Sequence, residues 1–153
     1  MAKLEVGDKA PFFEGQNHEG KRISLKQFEG KKLILYFYPK DNTPGCTAEA
    51  CDLRDNYLMW KEKGYEILGI SPDNEKSHKN FKEKHALPFE IICDPEKIIL
   101  KLYDSWGEKK LYGKIYEGVL RKTFVINENV IIEQIIEKVN TKAHSEQILK
   151  TIK

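Results

Sequence analysis

The sequence is poor in cysteine and arginine and has no long apolar run, and each of these features narrows the possible functions. Its 153 residues include 3 cysteines, and of its 26 cationic side chains only Arg22, Arg54 and Arg121 are arginines. No run of about 18 apolar residues is present, so no membrane-spanning helix is predicted. The N-terminal residues MAKLEVGDKA lack the apolar segment of a signal peptide, which favours a cytoplasmic location. The net charge of +2 is too small to indicate a nucleic-acid partner.

Several catalytic and metal-binding patterns are absent as well. The chain has no C-x-x-C pair, no glycine-rich phosphate loop and no H-E-x-x-H sequence. None of the histidines (His18, His78, His85 and His144) has ligand spacing with a cysteine, so we predict neither a metal site nor a cofactor. In a reducing cytoplasm a permanent disulfide framework is not expected, and cysteines there are more often buried, metal-binding or redox-active.

The order of apolar runs and turn signals predicts a single α/β domain over residues 1–153, with a central mixed β-sheet flanked by helices and an N-terminal β-hairpin. The predicted strands are Phe12–Gln16, Lys21–Leu25, Leu33–Tyr38, Tyr65–Ser71, Phe89–Cys93, Leu120–Ile126 and Val130–Ile136. The predicted helices are Cys46–Met59, Glu75–His85, Glu96–Leu102 and a last helix from Asn140 or Thr141 to about Ile152, and Tyr103–Gly118 is predicted as a loop.

A candidate site follows the most apolar of these strands. Leu33–Tyr38 and Tyr65–Ser71 are joined through a helix, so they are expected to pair in parallel. In such sheets, sites form beyond the carboxyl ends of the strands. The segment from Pro39 to Cys46 lies there, and it leads from a strand through a polar loop into a helix.

Cys46 is the first candidate for chemistry. At or near a helix N-terminus, unpaired N–H groups and the helix dipole favour an anion, so this thiol is expected to ionise more readily than a free cysteine. Thr43 is close enough in sequence to place a hydroxyl beside the thiolate, and Pro39 and Pro44 stiffen the loop. The alternative is that Cys46 is an inert buried residue and that its neighbours are ordinary turn residues.

Cys51 follows Cys46 by five residues. On an ideal helix the two Cα atoms would lie about 8–9 Å apart, whereas a disulfide needs about 4.4–6.8 Å. A bond between them therefore requires the first turns of the helix to unwind; the alternative is that Cys51 is simply a second buried helix residue. Cys93 is interpreted as a buried thiol rather than a redox partner of Cys46. Arg54 is equally compatible with a pair to Glu49 and with a solvated position.

The segment Pro39–Cys46 reads PKDNTPGC, which is similar to P-x-x-x-T-x-x-C, the active-site pattern of the peroxiredoxins. The longer segment YPKDNTPGCTAEACDLRD resembles the bacterioferritin comigratory protein or peroxiredoxin Q subfamily, whose members typically carry a second cysteine five residues after the first. The resemblance covers nearly the whole chain, from VGDKAPFF through SPD, LPFEIICDPE and YGK to LRKTFVIN.

This resemblance implies a thioredoxin-like fold and a thiol-dependent peroxidase that reduces hydrogen peroxide and organic hydroperoxides. It implies these roles: Cys46 as the peroxidatic cysteine, Cys51 as the resolving cysteine, Thr43 and Arg121 as hydrogen-bond donors to the thiolate and the peroxide, Pro39 as a shield of the pocket, and Glu49 as the residue that orients the arginines. It further implies a thioredoxin-type dithiol reductant and a monomer, with a weak dimer as the alternative.

Two other hypotheses compete with this one. A general disulfide oxidoreductase of the thioredoxin type is disfavoured because the chain has no C-x-x-C pair. A non-catalytic binding module with a thioredoxin fold would consume no peroxide.

Overall fold

A computed structural model of the protein, which describes residues 3–152, consists of a seven-stranded sheet, a separate two-stranded hairpin and flanking helices. The strands are β1 (Glu14–Gln16), β2 (Arg22–Ser24), β3 (Lys32–Phe37), β4 (Tyr65–Ser71), β5 (Glu90–Cys93), β6 (Trp106–Leu111), β7 (Lys114–Val119), β8 (Lys122–Ile126) and β9 (Ile132–Ile136). The helices are α1 (Pro44–Asp55), α2 (Tyr57–Glu62), α3 (Glu75–His85), α4 (Ile98–Leu102) and α5 (His144–Thr151), with a short 3-10 helix at Leu25–Phe28.

The large sheet has the strand order β2-β1-β5-β4-β3-β8-β9. Strand β3 pairs with β4 in parallel, and β4 pairs with β5 in parallel, whereas the other pairs in this sheet are antiparallel. The predicted mixed sheet, its N-terminal hairpin and the parallel β3–β4 pair are therefore confirmed. The site predicted after β3 consequently lies at the centre of the sheet, beyond the carboxyl ends of its parallel strands.

Strand β3 is buried on both faces, and its alternating side chains contribute to two apolar cores. Leu33, Leu35 and Phe37 pack in the core that includes Leu100, Tyr103 and Phe124. Ile34, Tyr36 and Tyr38 face the other way, into a core with Leu53, Trp60, Phe81 and Ile148 from the helices α1, α2, α3 and α5. Cys46 belongs to this second core, so the helix-covered face of the sheet positions the candidate site.

The prediction of a loop over Tyr103–Gly118 is wrong, because this segment contains the hairpin β6–β7. Its turn residues Tyr112 and Gly113 both have positive φ angles, 52° and 77°, as a tight hairpin turn requires. Strand β7 is exposed over most of its length. The open end of the hairpin reaches the core, where Val119 is buried and Trp106 packs against the apolar cluster, but the exposed residues of β7 show little of the apolar alternation that signals a strand.

The predicted helix Cys46–Met59 begins earlier and is interrupted. It starts at Pro44, where the fixed φ of proline suits the first helical position, with Thr43 as the N-cap residue. Asn56 separates α1 from α2. The strand predicted over Leu120–Ile126 also begins later, because β8 starts at Lys122, directly after Arg121.

Two other helices start later than predicted. Lys97 adopts a left-handed conformation with φ 61°, which delays α4 to Ile98. Helix α5 begins at His144 because Asn140 caps the preceding turn, where its side chain accepts hydrogen bonds from the backbone N–H groups of Lys142 and Ala143. The remaining predicted elements are confirmed with ends shifted by a residue or two. Within residues 3–152, no helix is both long and apolar enough to cross a membrane.

Candidate active site

The turn from β3 into α1 places Cys46 at the third position of the helix. The Cys46 side chain is almost fully buried, with 1% of the residue exposed. The loop before it is held in place from behind, since the backbone N–H of Asp41 donates to the Asp73 carboxylate over 2.7 Å. Cys46 therefore lies in the first turn of a helix, as predicted, and it is buried, as the alternative interpretation of this residue expected.

Arg121 joins Cys46 to Glu49. Its Nη2 donates to Cys46 Sγ over 3.2 Å, and its Nη1 donates to Glu49 Oε1 over 2.7 Å. Arg121 can reach both because it directly precedes β8, whose first residue Lys122 pairs with Phe37 at the end of β3. Burial lowers the pKa of Arg121, but Glu49 and Cys46 outweigh this and raise it, so the guanidinium stays charged. The structure therefore brings together Cys46, Glu49 and Arg121, three residues to which the family resemblance gave roles.

Glu49 lies three residues after Cys46, on the same side of α1, and is fully buried. Burial raises the pKa of the Glu49 carboxyl to about 7, although Arg121 acts to lower it. Its second oxygen, Oε2, makes no hydrogen bond to any described residue. Near neutral pH this group therefore binds and releases a proton beside the guanidinium that contacts Cys46.

His144 completes this side of the site, and sequence reasoning missed it. Its Nε2 lies 3.4 Å from Glu49 Oε2 and 2.7 Å from Thr123 Oγ1. Gln147 Oε1 accepts from the backbone N–H of Asn140, so His144 Nδ1, 3.0 Å away, must be the donor to that oxygen. Burial lowers the pKa of His144, so the ring is neutral and Nε2 accepts the Thr123 hydroxyl proton.

Thr43 and Pro39, which precede Cys46 in the sequence, are both half-buried. The predicted hydrogen bond from Thr43 to the thiolate is not formed in this structure, because Thr43 Oγ1 donates to the carbonyl of Lys40 over 2.8 Å. This bond closes the loop that precedes the helix. Pro39 is half-buried directly after the strand that leads to the site.

A second buried polar cluster supports the loop from below. Asp41 accepts hydrogen bonds from Tyr38 Oη (2.7 Å) and Ser77 Oγ (2.8 Å), and its Oδ2 lies 2.6 Å from His78 Nδ1. The other ring nitrogen of His78 is 3.0 Å from the Ile92 carbonyl, so both nitrogens face acceptors and the ring is cationic. Burial lowers the pKa of His78, but Asp41 and Cys93 outweigh it and raise the pKa to about 10.

The other two cysteines lie outside this pocket. Cys46 and Cys51 are both in α1, and all three cysteines are free thiols. The prediction that a Cys46–Cys51 bond requires unwinding therefore applies to the structure as it stands. Cys93 ends β5, opposite Gln16 of β1, and is half-buried rather than buried as predicted.

Arg54 matches neither alternative drawn from the sequence. Its Nε pairs with Asp55, and its Nη1 donates to the backbone carbonyl of His85 over 2.8 Å. Glu49 is paired with Arg121 instead. Arg54 is consequently a link between α1 and the end of α3.

Comparisons with known proteins show the family to which the chain belongs. The profile of the AhpC/TSA family matches residues 6–135. The Bacillus subtilis protein named peroxiredoxin Bcp is 43% identical over 150 residues, which are 98% of this chain and 96% of that protein. A Helicobacter pylori protein named putative peroxiredoxin Bcp is 42% identical over 152 residues, 99% of this chain and all of the relative.

Solved structures show the same similarity. A structure of the Xanthomonas campestris bacterioferritin comigratory protein superposes with a TM-score of 0.84 at 33% identity, covering 90% of this chain and 88% of that one. The Xanthomonas protein is described as having alkyl peroxide reduction activity, and its structures include trapped intermediate and ligand complexes. The thioredoxin-like fold implied by the sequence resemblance is therefore confirmed.

Proposed function

This chain belongs to the AhpC/TSA family and is a peroxiredoxin, a thiol peroxidase; from that premise we propose that it reduces hydrogen peroxide and organic hydroperoxides through a Cys46 sulfenic acid. Cys51 then resolves this intermediate as an intramolecular disulfide. The observation that carries the proposal is the 3.2 Å contact between a guanidinium and the buried sulfur of Cys46. The alkyl peroxide reduction described for the Xanthomonas protein is consistent with organic hydroperoxides as substrates.

In the first step the Cys46 thiolate attacks one peroxide oxygen. The S–O bond forms as the O–O bond breaks, and the leaving oxygen takes up a proton to become water or an alcohol. Sulfur is oxidised by two electrons and the peroxide is reduced by two. Negative charge moves from sulfur to the leaving oxygen, and donors already placed at that position lower the barrier. Arg121 is such a donor, because its side chain already ends at the sulfur.

Other residues act through this pair. Glu49 holds Arg121 in the orientation that reaches Cys46. Pro39, half-buried beside the loop, shields the pocket from bulk water. Thr43 can hydrogen-bond the thiolate or the peroxide only after its hydroxyl leaves the Lys40 carbonyl, so this role requires a rotation of the Thr43 side chain.

In the second step the Cys51 sulfur attacks the Cys46 sulfenic acid, and water leaves as the disulfide forms. Both cysteines lie in α1, and helical spacing holds their Cα atoms about 8–9 Å apart, too far for a disulfide. The first turn of α1 must therefore unwind in every cycle. A dithiol reductant of the thioredoxin type then restores both thiols by exchange. The proposal includes a cytoplasmic location, where such dithiols are kept reduced, and a monomeric enzyme.

A thiol map after a single turnover tests this proposal. The reduced protein receives one equivalent of hydrogen peroxide, free thiols are alkylated, and peptides are identified by mass spectrometry. We expect a Cys46–Cys51 link and an alkylated Cys93. Cys46→Ser should lose all peroxide consumption, and Cys51→Ser should complete one oxidation without dithiol-supported cycling. Peroxide consumption by Cys46→Ser, or a link that contains Cys93, would contradict the assignment.

A further inference from the structure

The second cysteine of α1 lies against a histidine from another helix. His85, the last residue of α3, places its ring Nδ1 3.7 Å from Cys51 Sγ, within hydrogen-bonding range for sulfur. The other ring nitrogen, Nε2, is buried and has no partner among the described residues. The edge of the ring packs against Phe81, with ring centroids 5.2 Å apart. Cys51 is therefore the polar contact of this imidazole.

Arg54 holds the two helices together at this point. Its Nη1 donates to the His85 carbonyl over 2.8 Å, which ties the second half of α1 to the end of α3. A further bond at this end of α1 joins the backbone N–H of Ser145 to Asp52 Oδ2 over 2.6 Å. When the first turn of α1 unwinds, these contacts keep the Cys51 half of the helix in place. Cys46 then moves towards Cys51, while Cys51 stays beside His85.

The surroundings of His85 favour the neutral form of its ring over the protonated form. Burial lowers the pKa of His85, and the cations Lys84 and Arg54 lower it further. Arg54 is itself paired with Asp55 through its Nε. A neutral imidazole at pH 7 offers a lone pair to a thiol.

We propose that His85 is a catalytic base for the resolving step, accepting the Cys51 proton at Nδ1 as the sulfur attacks the Cys46 sulfenic acid. The step balances without an added oxidant. The Cys51 S–H bond breaks and its proton moves to His85, the S–S bond forms, and the S–O bond of the sulfenic acid breaks. The departing hydroxide takes a proton back and leaves as water. This inference rests on the proposed function, because it assumes that Cys51 is the resolving thiol.

The size of the effect follows from the acidity of a thiol. An unassisted cysteine with a pKa of about 8.5 is only about 3% thiolate at pH 7. A base in contact with the thiol can therefore accelerate resolution by up to about 30-fold at pH 7. Above about pH 9 the thiol ionises without help, and the advantage disappears. A histidine with only a packing role would give a loss that does not depend on pH.

The test is the rate of disulfide formation in His85→Asn between pH 6 and 9.5. Asparagine places a polar group near the position of Nδ1 but does not bind a proton. Reduced protein is mixed rapidly with one equivalent of hydrogen peroxide, quenched and alkylated, and the sulfenic acid and the disulfide are counted by mass spectrometry. We expect unchanged sulfenic acid formation, disulfide formation slower by about 10- to 30-fold at pH 7, and rates that agree within about two-fold above pH 9. The matched control His18→Gln, in the β1–β2 turn, should behave as the unmodified protein.

A second measurement does not need the disulfide. In a Cys46→Ser background, alkylation of Cys51 at pH 7 should slow when His85→Asn is added, and the rates should converge at high pH. Equal resolution and alkylation rates with and without His85 would overturn the inference while leaving the Cys46–Cys51 link intact. A loss of equal size at every pH would overturn it as well, in favour of a structural role. Sulfenic acid without any Cys46–Cys51 link in the unmodified protein would instead refute Cys51 as the resolving thiol.

Discussion

Replacing Glu49 with glutamine removes a carboxyl that is buried between Arg121 and His144, and the change should alter how stability depends on pH. Burial raises the pKa of Glu49 from 4.5 to about 7. Below about pH 4.5 the carboxyl is protonated in both the folded and the unfolded chain. Between pH 4.5 and 7 the unfolded chain ionises while the folded chain keeps its proton, so folding loses stability as the pH rises. Above pH 7 the loss is complete.

The magnitude follows from this shift. A difference of about 2.5 pKa units, at about 1.36 kcal/mol per unit, corresponds to about 3 kcal/mol of stability lost between low and high pH. Glu49→Gln does not ionise. The free energy of unfolding of Glu49→Gln minus that of the unmodified protein should therefore increase by about 3 kcal/mol between pH 4.5 and 8. Any effect of the substitution that does not depend on pH adds a constant to this difference and leaves the increase unchanged.

The assay is denaturant unfolding of both reduced proteins at several pH values, followed by circular dichroism. Glu83→Gln, the same substitution at an exposed position of α3, is the control and should give a curve parallel to that of the unmodified protein. Parallel curves for Glu49→Gln as well would show that the Glu49 carboxyl titrates normally. The account of a protonatable group beside Arg121 would then be wrong.

Two further substitutions probe the turn at the start of α1 that carries Cys46. Arg121→Ala removes the donor that reaches Cys46 Sγ and should slow the reaction with peroxide by on the order of 100-fold in stopped-flow measurements; a rate within three-fold of the unmodified protein would contradict the role given to Arg121. Gly45→Ala should stabilise the first turn of α1 by up to about 1 kcal/mol and slow disulfide formation by about five-fold without affecting peroxide attack. A methyl group fits there, since it would lie 3.4 Å from Arg121 Nη2, and an unchanged resolution rate would argue against unwinding of this turn.

The fold and the centre of the site could be predicted because their signals are local. The apolar run of β3, the proline after it and the cysteine at the start of α1 are neighbours in sequence, so one strand–loop–helix pattern locates Cys46. The spacing of Cys46 and Glu49 places both on one side of a helix. Arg121 was identified only through the family resemblance, because its contact with Cys46 joins residues 75 positions apart.

The residues missed are those whose partners come from distant parts of the chain. His144 meets Glu49 and Thr123 only after α5 packs beside α1 and β8, and no spacing in the sequence signals such a contact. His85 was set aside for the same reason, since Cys51 lies 34 positions away. The β6–β7 hairpin was missed because β7 is exposed over most of its length and so shows little apolar alternation. The pair Tyr112-Gly113 was its one local signal.

In the proposed mechanism both reacting cysteines lie within α1, and this placement also determines how the enzyme would be inactivated. A sulfenic acid that waits too long beside excess peroxide is oxidised again to a sulfinic acid, which a dithiol cannot reduce. Helix–coil changes take about a microsecond or less, so the delay depends on the Arg121 contact and the packing that hold the first turn down. A more stable first turn keeps the pocket formed for peroxide binding. It also lengthens the lifetime of the sulfenic acid, so excess peroxide inactivates the enzyme more readily.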